Sequence, residues 1–160
     1  MISIQQQDGQ LDIELSSDPD LMEHVTREAQ YFITESGYRK NTDLKVIIRE
    51  LVSNAIIHGN RMDPERHVKM HLEHMGGGTF SVMITDEGTG FDYQSVKYNL
   101  PDRPSNSACR GLALVKALTC RLEFNGAGNG VVATFGLDPV VGTLPDDRNE
   151  RNPEHANMNR

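Results

Sequence analysis

Apolar residues recur at three- and four-residue spacing through residues 42–60, at Leu44, Ile47, Ile48, Leu51, Val52, Ala55 and Ile56. That spacing predicts one buried face of an amphipathic helix. A second helical face runs through Leu21, Met22, Val25, Ala29, Phe32 and Ile33. It is entered through Ser17-Asp-Pro-Asp20, a start signal with a capping residue, an early proline and acids in the first turn, and Gly37 ends it. A third, shorter helix is read over 111–119, with Leu112, Val115 and Leu118 inward. Alternation marks the strands. Residues 66–75 set Val68, Met70 and Leu72 against His67, Lys69, His71 and Glu73, and residues 79–85 carry Phe80, Val82 and Ile84 on one side. Residues 2–6 and 11–15 pair as a hairpin across Asp8-Gly9, a favoured tight-turn dipeptide. Residues 121–125 and 131–137 form a last hairpin around Gly-Ala-Gly-Asn-Gly. The order is hairpin, helix, helix, hairpin, loop, helix, hairpin. It predicts an α+β fold, a two-layer sandwich of a mostly antiparallel sheet with helices on one face.

Composition narrows the picture. A chain of 160 residues makes one domain with a single core, and without Trp that core must be aliphatic. Residues 138–160 are polar, spotted with proline and aperiodic, so the domain is drawn at 1–137 and the rest as a tail. The formal charge is −7, from 16 basic and 23 acidic residues, which argues against a broad nucleic-acid or anionic-membrane surface. No apolar run reaches the length of a membrane span, and the first residues lack the basic start and apolar stretch of a signal peptide. A cytosolic protein is expected. Cys109 and Cys120 are eleven residues apart. On one helix that is roughly 16 Å, beyond the reach of a disulfide, as a reducing compartment would have it.

Candidate chemistry lies on the 42–60 helix. At about 100° per residue, Glu50, Asn54 and His58 fall on one stripe along an edge of the apolar face. An acid, an amide and an imidazole there border a possible cleft, although many half-buried helices carry such an edge. Asp86-x-Gly-x-Gly90 leaves a strand and enters a turn. Its carboxylate can accept from an amino group such as that of adenine, and Gly88 and Gly90 permit close backbone approach to a ligand. Residues 93–110 are long for a connection, a length typical of functional lids. Arg110-Gly-Leu follows as a glycine turn at a helix start, where free N–H groups and the helix dipole suit phosphate. The histidines of 66–75 read as a solvated strand face rather than a metal site.

In this order and spacing, Glu-x-x-x-Asn on a helix, Asp-x-Gly-x-Gly after a strand, a lid-length loop and a glycine turn resemble the GHKL ATP-binding superfamily. Its fold is the Bergerat-type sandwich. The resemblance covers roughly residues 11–137 and is nearest to the bacterial anti-sigma-factor serine/threonine kinases, most clearly in Asp-Leu-Lys-Val-Ile-Ile-Arg-Glu-Leu-Val-Ser-Asn-Ala-Ile-Ile-His-Gly. It implies that Asn54 coordinates Mg²⁺, that Glu50 accepts the proton of the attacking hydroxyl, and that His58 lies near the phosphates. It implies that Asp86 reads the adenine amino group, with Gly88 and Gly90 shaping the pocket, and that Arg110, Gly111 and Leu112 cradle phosphate. Arg103 and Arg110 are both candidates for the terminal phosphate. Two positions depart from the family pattern: Cys109 replaces the first glycine at the lid's end, and Val131 replaces a threonine in the last hairpin.

The activity so implied is Mg·ATP-dependent phosphorylation of a Ser or Thr on an anti-anti-sigma-type (STAS) protein. Capture of a sigma factor in the other state, and a homodimer, are implied with it. No direct nucleic-acid or membrane contact is expected. The alternative is a module of the same fold that controls a partner by stoichiometric capture. Cys109 and Val131 favour capture; Glu50 and Asn54 favour the enzyme.

Overall fold

The computed structural model describes residues 1–95 and 107–140, with 107–109 described by their backbone alone. Six strands form one antiparallel sheet in the order β1-β2-β3-β4-β6-β5. They are β1 (Ile2–Gln7), β2 (Gln10–Ser16), β3 (His67–Gly76), β4 (Thr79–Asp86), β5 (Arg121–Phe124) and β6 (Gly130–Gly136). Three helices, α1 (Met22–Glu35), α2 (Thr42–Asn54) and α3 (Ser107–Leu118), cover one face. The predicted α+β sandwich is the observed one.

Register explains which face is covered. Ile13, Met70, Ile84 and Val131 stand opposite one another across four strands, and all are buried. The neighbouring row, Leu11, Leu72, Val82 and Ala133, is buried as well. Residues of the opposite parity, among them Asp12, Glu14, Lys69 and Met83, face solvent. Val25, Phe32 and Ile33 of α1 and Leu44, Ile48 and Leu51 of α2 close the other side of the core. Each such side chain contributes about 1.5–3 kcal/mol through burial, which is why one long amphipathic face per helix suffices.

Local chemistry fixes the ends. Asp8 and Gly9 have φ of 42° and 79°, the left-handed pair of a type I′ turn between β1 and β2. Asp18 accepts the N–H of Asp20 at 3.0 Å and starts a 3-10 turn, Pro19–Leu21, that feeds α1. Gly37 ends α1 at φ 88°, with Gly37 N–H on Thr34 and Tyr38 N–H on Ile33, a Schellman cap. Asn41 caps α2 by accepting from Asp43 at 2.6 Å and Leu44 at 3.2 Å. Beyond Leu137, Pro139 bridges Tyr38 and the N–H of Val140 donates to Gly37. The expected Arg103, most of the loop at 93–110 and the tail from 141 lie outside the described residues.

Two helix boundaries correct the sequence reading. The helix expected over 42–60 is α-helical only to Asn54, and Ala55–Gly59 continue as a π-helical turn. Its wider turn is closed by Asn60 N–H donating to Ala55 at 2.8 Å. Asn60 is fully buried and pinned: its Nδ2 donates to Ser17 Oγ and to the His67 carbonyl, and its Oδ1 accepts from Glu87 N–H, all at 2.8 Å. Such a tertiary anchor outweighs the local preference for an α-helical register. Asn60→Ala strands several buried polar groups at once and is expected to cost about 2–4 kcal/mol of stability, read in a denaturant titration. The third helix begins at Ser107 rather than Gly111, so Gly111 is interior to α3.

At the far end of the sheet, His74 stacks on Phe80 with centroids 4.6 Å apart and meets Tyr38 edge-on at 5.1 Å. Burial pushes the His74 imidazole below its ordinary pKa. The neutral ring is therefore the one the fold prefers, and this contribution is present above the ordinary value and lost as pH falls from there through the lowered one. The denaturation midpoint should drop as pH falls below the ordinary histidine value, and His74→Gln should flatten that part of the profile.

Candidate functional site

The site is organised by the junction of α2 with the π-helical turn. Glu50 and Asn54 are four residues apart, about 6 Å along the helix axis, and both are half-buried on one edge of the helix. The expected stripe would continue to His58. It does not, because in a π-helical turn the residue five positions on, not four, comes back over the first. His58 is exposed, and Gly59 follows Asn54 along the line instead.

Gly59 is held against Asp86, at the end of β4. A Cβ built on Gly59 would run into the Asp86 carboxylate, and one built on Gly88 would strike the Gly59 carbonyl. The two glycines form a seat for the acid. Gly88 N–H donates to Asp86 Oδ1 at 2.8 Å. Burial raises the Asp86 carboxyl above the usual carboxylate value, partly offset by the Gly88 N–H and by the Arg66 charge. A half-buried carboxylate with one oxygen committed and spare acceptor capacity suits a donor from a ligand.

The neighbouring loops are locked to one another. The Asn129 amide donates to the Asp86 carbonyl at 3.1 Å and the Gly88 carbonyl at 3.4 Å, while Asp86 N–H donates to the Asn129 carbonyl at 2.9 Å. Gly90 sits against the Ala127 carbonyl with no room for a side chain. Phe91 and Tyr93 both pack on Phe124 of β5, at 5.5 Å and 5.1 Å between centroids. The chain is therefore tied down as far as the 3-10 turn Tyr93–Ser95. Val131 is buried in the core row beside Ile84, two residues along the same face from Asp86, and offers no hydroxyl there.

α3 packs on α2 across the other side of the site. Gly111 is buried against the Glu50 side chain. In a helix that starts at Ser107 the amides without an intrahelical partner end at residue 109. The expectation that Gly111 and Leu112 open the helix is thus corrected: Gly111 lies past those amides, and Leu112 is a core residue, 4% exposed. Arg110 is exposed at the end of the first turn.

One polar atom tests the fit of an anionic or metal-bearing ligand. Asn54 Nδ2 is buried and has no hydrogen-bond partner among the described residues. Leaving such a group unpaired costs about 1–3 kcal/mol. An amide with unused capacity beside a carboxylate fits a phosphate oxygen at its N–H end and a divalent cation at its carbonyl end.

Sequence reasoning missed Gly59, Asn60 and Asn129. Gly59-Asn60 at a helix end reads as an ordinary stop signal, and Asn129 reads as a turn residue. The signal that could have found Gly59 is its place directly after the Glu50–Asn54 stripe.

The sheet, its covering helices and an aspartate seated against the turn that follows an acid–amide pair make an α+β sandwich of the histidine kinase ATPase type. The chain belongs to the histidine kinase-like ATPase domain family, whose pattern it matches over residues 15–135. An ATPase domain of this type implies that ATP is bound. Among curated proteins it is similar to the anti-sigma F factor of Halalkalibacterium halodurans, 41% identical over 49 residues, which is 31% of this chain and 33% of that protein. The chain thus matches about a third of that relative's length. Among solved structures it is similar to a mycobacterial sensor histidine kinase, MprB, with a TM-score of 0.47 and 15% identity over 79% of this chain and 98% of that one. It is also similar to the histidine kinase domain of the Erythrobacter litoralis EL346 blue-light activated histidine kinase. There the TM-score is 0.42, with 21% identity over 61% of this chain and 42% of that one. No helix among the described residues is long and apolar enough to cross a membrane.

Proposed function

We propose that this protein is an anti-sigma regulatory kinase that binds Mg·ATP and phosphorylates a Ser or Thr of an anti-anti-sigma-type protein. The observation that carries the proposal is the line Glu50, Asn54, Gly59, with the acid and the amide at one end and the seated Asp86 at the other. The partial similarity to an anti-sigma F factor supports the choice of partner class. A sigma factor captured in the alternative state, and a homodimer in the cytosol, belong to the same reading.

Each residue has a task. Asp86 accepts a hydrogen bond from the adenine amino group, with Gly88 and Gly90 leaving room for the base. Asn54 would hold Mg²⁺ through its carbonyl oxygen, and the ion would neutralise charge on the phosphates. Arg110 and the free amides of the first turn of α3 are available to phosphate oxygens. His58, exposed one position before Gly59, can approach a phosphate only from the solvent side. Glu50 accepts the proton of the partner's hydroxyl as its oxygen bonds to the terminal phosphorus and ADP leaves.

Val131 favours a second reading. Without a hydroxyl at that position the site loses a polar group near the base, and a capture module without phosphotransfer would tolerate the loss. The deciding experiment incubates the protein with labelled ATP, Mg²⁺ and candidate anti-anti-sigma proteins. Label on a partner Ser or Thr establishes the kinase. Stable partner binding with no label, across several partners, establishes capture.

A further inference from the structure

Gly111 is costly where it stands. It is inside α3, away from either end, and its backbone is not in the left-handed region. Glycine in a helix interior is about 1 kcal/mol worse than alanine. A cap or a turn would justify it, and it is neither. The compensating fact is steric. The three heavy atoms nearest to a Cβ built on Gly111 all belong to Glu50: Oε2, which it would overlap, Cδ at 3.2 Å and Cβ at 3.7 Å.

We propose that Gly111 is a positioning residue for Glu50: its missing side chain is the slot in which the carboxylate rests, and α3 thereby sets the direction of the proton acceptor. This rests on Glu50 being that acceptor, and it changes the role of Gly111 from a phosphate contact to a contact with the acid. The Glu50 side chain has several rotatable bonds and only a half-buried position, so packing must choose its rotamer. A Cβ at 111 would push the carboxylate out of the slot, and misplacing a catalytic group by about 1 Å can cost roughly a hundredfold in rate.

The test is a paired set of variants: Gly111→Ala, Glu50→Ala and the double variant. Denaturant midpoints are measured without nucleotide. In the wild-type background Gly111→Ala should lower the midpoint, because the new methyl meets Glu50. In the Glu50→Ala background the same change should leave the midpoint equal or raise it, because alanine is the better helix former. Equal losses in both backgrounds overturn the proposal. So does failure of both Gly111 variants to fold, whereas folding of the double variant alone supports it. Kinetics give the second reading. With a partner that accepts phosphate, Gly111→Ala should lower kcat about a hundredfold at nearly unchanged KM for ATP. A raised KM with unchanged kcat would return Gly111 to the phosphate site and overturn the proposal. If the wild type transfers nothing, the kinase reading falls, and the midpoints still decide whether Gly111 seats Glu50.

Discussion

On the proposed mechanism, Glu50→Gln should keep ATP and lose phosphotransfer. The amide has the shape of the acid and can still rest in the slot beside Gly111, so nucleotide affinity should stay within a few-fold. It cannot take a proton at neutral pH. General-base catalysis is typically worth about 10²–10⁴-fold, and the single-turnover rate should fall by that much. Asn54→Ala should behave differently. It removes the amide proposed to hold Mg²⁺, so Mg·ATP binding and transfer should fall together. Affinity by calorimetry and label transfer, measured on the same samples, separate the two. A Glu50→Gln variant that transfers at the wild-type rate would remove Glu50 from the mechanism.

Asp86→Asn should split stability from binding. Burial already raises the Asp86 carboxyl, so the fold bears a cost for keeping it ionised. A group raised in this way contributes stability below the ordinary carboxylate value, and that contribution is lost as pH rises through the raised one. At neutral pH the neutral amide removes the cost while its oxygen can still accept from Gly88. The variant without nucleotide should therefore be at least as stable as the wild type. ATP should bind about 1.5–3 kcal/mol more weakly, since a charge-assisted hydrogen bond to the base is lost. The wild type should itself lose ATP affinity on acidification earlier than an ordinary aspartate would predict. Unchanged affinity in Asp86→Asn would leave Asp86 as a turn residue only.

Much of the architecture was legible because it rests on periodicity. Alternation in β3 and β4 and the face of α2 are direct records of burial, and Asp8-Gly9 and Gly37 are local signals with local causes. Glu50 and Asn54 stand where α-helical spacing put them. Legibility failed where a distant contact overrode a local rule. The π-helical turn depends on Asn60 reaching Ser17, His67 and Glu87, none of which is near it in helical register. Gly111 reads as a helix start because glycine is a poor helix former, while its actual reason is a side chain sixty-one positions earlier, at Glu50. The seat of Asp86 needed two separate segments, Gly59 and Gly88, to be brought together.

The π-helical turn also constrains how the chain can change in length. Between Asn54 and Asn60 one residue more is wound than an α-helix of the same height would hold. Delete the surplus residue and the segment can relax to an ordinary helix of the same height, which brings Asn60 back to nearly the same place. A further insertion would instead turn Asn60 by about 100° and carry it about 1.5 Å on, and either its three bonds or the contact of Gly59 with Asp86 would be given up. The spacing from Asn54 to Asn60 can thus shorten by one residue but not lengthen. A helix that ran on from Asn54 in plain α-helical form would bring the residue four past it to the place that Gly59, five past it, takes here.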